Sequence, residues 1–169
     1  MSNITTACTI RRSKILIVLM VGIFGLTTLV NNFTDYTSYY EYIGQILSMS
    51  TTEGNESRRY RAVTSGLFHH RFYWMIITLE TIYTVFCLLG VYQLCRKMNA
   101  SRKEFKVAKK FAVLGLITAI VVYYFMYVII LSEWFDVEYS AQSNAFDWAR
   151  SNIEYMFPAL IYLTLDNDN

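Results

Sequence analysis

The sequence is short of charge, of chain breakers and of paired cysteines, and each shortage removes a class of protein. Charged residues make up 17% of the 169, against about 25% in soluble domains, so a freely soluble fold is disfavoured. One proline and seven glycines leave no room for a long disordered or low-complexity segment. The three cysteines, Cys8, Cys87 and Cys95, form no CxxC pair. Cys87 and Cys95 fall on one apolar stretch about 12 Å apart at helical rise, beyond disulfide reach. A disulfide framework and a thiol relay are thereby set aside. HExxH, GxSxG, the phosphate-binding GxxxxGKS/T and GxGxxG are all missing, so zinc proteolysis, serine hydrolysis and nucleotide binding lack their usual signatures. The expectation is a non-enzymatic chain with no catalytic residue, no cofactor and no resident metal.

What the sequence has is apolar length. Hydrophobic residues are 54% of the chain, with 14 tyrosines and 11 phenylalanines, and mean hydropathy is +0.29. Residues 15–33 carry no charge, residues 72–95 only Glu80 before the basic end, and residues 111–131 none. Each reaches the roughly 20 residues that span a bilayer. The basic residues ahead of 15–33 suggest a signal peptide, but a small-x-small cleavage site is lacking and the run is long for one. A fourth stretch, 145–165, is more polar, with Asp147, Arg150, Glu154 and a central Pro158. It reads as a fourth crossing, with an amphipathic helix lying on the surface as the alternative. The expected fold is all-α: one membrane domain over 1–169, an antiparallel four-helix transmembrane bundle with a partly helical outer loop at 34–71.

Orientation follows from where the cations lie. Arg11, Arg12 and Lys14 precede the first span, and Arg96, Lys97, Arg102, Lys103, Lys106, Lys109 and Lys110 fill the hairpin between the second and third. These are ten of the fifteen basic residues. An even number of crossings puts them all on one side, so both termini are expected in the cytoplasm. Trp74, Trp134 and Trp148 then fall at the outer interface, where indoles prefer to sit. The basic hairpin reads as a topology determinant rather than a nucleic-acid surface, and lipid is the expected partner, with other membrane subunits possible in principle.

Within the outer loop, Tyr39, Tyr42, Ile43, Ile46, Leu47 and Met49 share one helical face, which predicts a short amphipathic helix. A turn is expected over 51–55 and a second short helix over 56–65. Tyr39, Tyr40, Tyr42, Arg58, Arg59, Tyr60 and Arg61 are residue types favoured at protein contacts.

Glu80 is the residue most suggestive of function. A carboxylate about eight residues into a membrane helix costs about 2.5–3.5 kcal/mol where it faces lipid, so it should face other helices. Tyr73, Tyr83, Thr84 and Cys87 share its face. Matching depths from the outer ends predict a polar cluster of Glu80 with Arg150, Glu154, Tyr123 and Tyr127. Such a cluster is either a packing network or a proton, ion or solute site. His69 and His70 stand at the outer mouth of the second span. With Asp35, Arg58, Arg59 and Arg61 they are candidate outer-face contacts. Haem is disfavoured because its ligands lie deep within helices. A surface metal site with Asp35, Glu53 or Glu56 is the lesser reading of the histidines.

The run Asn31-Asn32-Phe33-Thr34-Asp35-Tyr36, then Leu47-Ser48-Met49-Ser50-Thr51-Thr52, then Arg61-Ala62-Val63-Thr64-Ser65, His69-His70, Glu80 and Ser132-Glu133-Trp134-Phe135 resembles a bacterial family over nearly the whole chain. That family is the predicted small integral membrane protein family, domain of unknown function 2165. The resemblance implies an inner-membrane location and no assigned activity; the fourth stretch is more polar than it leads one to expect. Two functional expectations stand: an accessory or assembly subunit of a larger membrane complex, or a small oligomeric proton, ion or solute transporter built around Glu80.

Overall fold

A computed structural model describes residues 6–54 and 56–168, and its regular structure is helical. α1 covers Thr6–Thr34, α2 Tyr36–Leu47, α3 Gly66–Arg96, α4 Arg102–Ala108, α5 Lys110–Ile120 and α6 Asn144–Thr164. Beyond α5 the helix continues as a π-helical stretch, Val121–Trp134, and 3-10 helices occupy Glu56–Arg61 and Val137–Tyr139. Among the described residues three helices are long and apolar enough to cross a membrane: Thr6–Thr34, Gly66–Arg96 and Arg102–Trp134. The 21-residue α6, carrying Asp147, Arg150 and Glu154, is not among them. It packs against α5 and the π-helical stretch and runs unbroken through Pro158.

Helix ends lie where local chemistry permits them, and these differ from the limits of the apolar runs. α1 extends ahead of Ile15, where Arg11 and Lys14 are buried with partners, which a hydropathy limit does not anticipate. α3 begins at Gly66 because Ser65 caps it, accepting from the Phe68 amide. Ser101 and Glu104 form a reciprocal capping box that starts α4.

α3 is the central helix, packed on α1 and α5. Two close approaches make that possible. A Cβ on Gly25 would lie 2.1 Å from Thr84 Oγ1, and one on Gly90 would lie 2.5 Å from the backbone nitrogen of Ala112. Small residues at helix crossings substitute for the hydrophobic drive that lipid removes. Gly115 and Ala119 belong to the same seam: Gly115 meets Cys87, and Ala119 is buried. Leu16, Met20, Ile23, Leu26, Val30 and Phe33 form the exposed side of α1, and Met75, Ile82, Val85 and Leu89 that of α3, as expected of surfaces solvated by lipid tails.

The loop after α1 folds back as a cap. α2 buries Ile43, Ile46 and Leu47, with Met49 following, against Phe72, Tyr73, Ile76 and Ile77 of α3 and Met126, Leu131 and Phe135. Tyr39, expected on the same face, is instead exposed. The expected second helix is a 3-10 helix of six residues, Glu56–Arg61, and Gly54 takes a φ of +76° in the turn before it; Asn55 of that turn lies outside the described residues. An antiparallel bridge between Thr52 and Ser140 fastens the cap to the segment before α6.

Candidate ligand cavity at Glu80

Glu80 is 1% exposed. Asn32, near the end of α1, donates its side-chain amide to Glu80 Oε2, and accepts the Tyr73 hydroxyl on its own Oδ1 at 3.1 Å. Tyr73 and Glu80 lie seven residues apart on α3, two helical turns, so Asn32 clasps one face of that helix. Thr84 adds a hydrogen bond to the Glu80 carbonyl at 2.7 Å. The second carboxylate oxygen, Oε1, is buried and has no hydrogen-bond partner.

Glu80 is part of the lining of a cavity of about 300 Å³. Its lining comprises Thr28, Asn31 and Asn32 of α1; Tyr39, Tyr42 and Ile43 of α2; Tyr73 and Glu80 of α3; Tyr127 of the π-helical stretch; and Asn144, Ala145 and Trp148 of α6. Five helical segments thus converge on one space. Tyr39 and Trp148 are exposed at its rim, whereas Asn32, Tyr73 and Glu80 are buried. Burial pushes the Tyr42 hydroxyl up to about 12, so it stays a neutral donor. Trp148 meets Tyr127 and Tyr123 edge-on, with ring centroids 5.4 and 5.3 Å apart, and Tyr123 reaches the Tyr83 hydroxyl at 3.2 Å. Below Glu80 the space closes, where Gly25 abuts Tyr83 and Thr84.

The polar cluster expected around Glu80 is therefore corrected in part. Tyr127 shares the cavity, and Tyr123 stands behind it through Trp148. Arg150 and Glu154 do not take part: they pair with each other at 3.2 Å, one turn apart, with side chains 65% and 67% exposed. The physical reason is helical phase. Ala145, Ala149, Met156, Ala159 and Leu163 are the residues α6 buries, which turns Arg150 and Glu154 away. Asn32 fills the role foreseen for Arg150. Its signal was an amide near the end of an apolar span, opposite the carboxylate in depth.

The outer-face residues are spent mostly within the protein. Arg58 pairs with Asp136. Arg59 meets Glu56 at 3.1 Å and donates to the Thr52 carbonyl. Arg61 lies over the Trp134 ring, 4.7 Å from its centroid. His69 points inward and donates from Nε2 to the Val63 carbonyl, while His70 points outward to the Tyr36 hydroxyl at 2.8 Å. Asp35 accepts from Ser38. Among the described residues no group of three or more His, Cys, Asp or Glu side chains could hold a metal ion.

A family model described as predicted small integral membrane protein (DUF2165) matches residues 10–166. The chain belongs to the DUF2165 family. No curated protein and no solved structure matches it. The DUF2165 match takes in every cavity-lining residue, from Thr28 to Trp148.

At the opposite end of this DUF2165 protein lies a cluster of basic residues that the sequence offers as topology determinants. Lys14 is fully buried, and its ammonium donates to the Leu165 carbonyl, Asn167 Oδ1 and Asp168 Oδ1 at 2.6–2.7 Å. Lys109 holds the other Asp168 oxygen. Arg11 donates to the carbonyls of Met98, Ala100 and Asp168. Burial alone would raise the Asp168 carboxyl, but Lys109 and Lys14 together hold it below its ordinary value. The start of α1, the α3–α4 turn and the segment after α6 therefore meet at one end of the molecule. Acidic residues at 166 and 168 beside a basic hairpin were the available signal.

Proposed function

We propose that the protein is a non-enzymatic, four-span carrier or receptor for a small polar solute that enters from the outer side. The observation that carries this reading is Glu80, a buried residue whose Oε1 has no hydrogen-bond partner, in the lining of a cavity whose rim is exposed. An unpaired buried polar atom costs about 1–3 kcal/mol, a cost a bound solute relieves. The closure below Glu80 suits a site that opens by rearrangement better than a continuous pore.

An antiparallel bundle with α6 as the fourth crossing supports the reading. At helical rise 21 residues cover about 31 Å, enough for the hydrocarbon layer. Lys14 meeting Asp168 brings the beginning of α1 and the end of α6 to the same end, as an even number of crossings requires. The weight of basic residues there argues for the cytoplasmic side of a plasma membrane, and the family resemblance for a bacterial one. An accessory-subunit role has less support, since Arg58, Arg59 and Arg61 are engaged by the protein's own groups.

The test is thiol labelling of a Glu80→Cys variant, with Cys8, Cys87 and Cys95 replaced by serine or alanine, in intact cells. A charged, membrane-impermeant methanethiosulfonate added outside is expected to modify the introduced thiol. Protection from outside combined with labelling from inverted vesicles would overturn the reading.

A further inference from the structure

Resting on the solute-site reading, we propose that the solute is a compact organic amine, bound as a protonated ammonium with at least one N–H directed at Glu80 Oε1. Three observations converge on this class.

The first is charge. Glu80 is the one ionisable carboxylate in the lining, and no Lys, Arg or His lines the cavity with it. The groups lining the cavity with it are the hydroxyls of Thr28, Tyr39, Tyr42, Tyr73 and Tyr127 and the amides of Asn31, Asn32 and Asn144, all neutral, and the Tyr83 and Tyr123 hydroxyls nearby bond each other. A buried carboxylate without a counter-cation is costly as an anion, and a bound ammonium supplies that counter-cation.

The second is the walls. Tyr39, Tyr42, Tyr73, Tyr127 and Trp148 line the cavity with the acid. Aromatic rings attract a cation within about 6 Å of their centroids, Trp most strongly, and accommodate alkyl groups equally well. An anion is repelled by the carboxylate, and a neutral hydroxyl can hydrogen-bond it but gains neither the charge pairing nor the attraction of the rings.

The third is size and donor set. About 300 Å³ lies at the small end of ligand sites, which run about 300–1,000 Å³. A divalent metal wants six or more hard oxygen donors in close geometry, whereas this space offers one carboxylate among rings. The unpartnered atom is an acceptor, so the missing group is a donor, which a quaternary ammonium lacks.

The experiment is calorimetric titration of the purified protein in phosphatidylcholine nanodiscs near pH 7. The probes are n-butylammonium, 1-butanol (similar chain, no charge) and tetramethylammonium (charge, no N–H). Saturable binding of n-butylammonium is expected, at least tenfold tighter than either control. Glu80→Gln and, separately, the rim variant Trp148→Leu are expected to weaken it at least tenfold. The rim variant keeps the test open if the acid variant does not fold. Failure of wild type to bind n-butylammonium, or equal binding of either control, overturns the amine assignment. Outside labelling of the Glu80→Cys variant with no amine binding would sink this inference alone and leave the solute-site reading standing.

Discussion

Lys14 Nζ lies 2.7 Å from Asp168 Oδ1, and both side chains are wholly enclosed. This contact joins the first span to the segment that follows α6. Breaking a buried pair by removing one partner leaves a buried charge uncompensated and costs about 3–5 kcal/mol. Asp168→Asn strips the counter-charge from both Lys14 and Lys109. It is expected to lower the thermal midpoint of the detergent-solubilised protein more than any exposed substitution nearby; an unchanged midpoint would show that the pair does not stabilise the fold.

The same carboxylate gives a pH dependence. Its folded value is depressed, so the stabilisation is fully present above the unfolded value, about 4, and is lost as pH falls through the folded one. Protease sensitivity of the 165–168 segment is expected to be flat between about pH 6 and 8 and to rise only below about pH 4. A rise near neutral pH would contradict the assignment.

Asn32 holds Glu80 and Tyr73 together, so its loss orphans more than itself. Asn32→Ala removes the partner of Glu80 Oε2, leaving it bare like Oε1, and the side-chain acceptor of the Tyr73 hydroxyl, at about 1–3 kcal/mol. Folded yield in the membrane, read by size-exclusion fluorescence, is expected to drop. Yield equal to wild type would mean that the clasp contributes nothing to folding.

Gly90 touches backbone, which cannot give way as a side chain does. Gly90→Ala is expected to cost about 1–3 kcal/mol through overpacking, because its Cβ would sit 2.5 Å from Ala112 N. Gly66→Ala meets only the Tyr40 hydroxyl at 3.5 Å and is expected to be tolerated. Thermal midpoints of the two variants, measured side by side, decide the matter.

Arg150 and Glu154 form an exposed pair, worth about 0.3–0.5 kcal/mol at this spacing. Replacing both, Arg150→Gln with Glu154→Gln, is expected to leave stability and amine binding within twofold of wild type. A large loss of binding would restore them to the neighbourhood of Glu80.

The three apolar spans were plain in the sequence because hydrocarbon thickness dictates length and composition together. The inward face of α3 was legible too, since one carboxylate fixes which side avoids lipid. What escaped was relational. Arg150 was assigned to Glu80 by depth alone, but depth does not give rotation, and the small residues Ala145 and Ala149 decide which way α6 turns. Asn32 was visible as part of a motif and not as a hydrogen-bond donor, because nothing local says which helix it faces. Arg11, Lys14 and Lys109 were legible only as topology determinants, since their burial depends on a tail more than fifty residues away. The π-helical stretch at Val121–Trp134 had no signature at all: its hydrophobic residues suit either winding.

The enclosed cations at the basic end mean that a tally of lysines and arginines overstates how firmly this face adheres to acidic headgroups. Each such residue near a negatively charged leaflet is worth about 1 kcal/mol of adhesion. Arg11, Lys14 and Lys109 can act on the nascent chain while it is being oriented and then withdraw from the lipid once the tail closes over them. The finished protein thus needs less anionic lipid around it than its unfolded chain does during insertion.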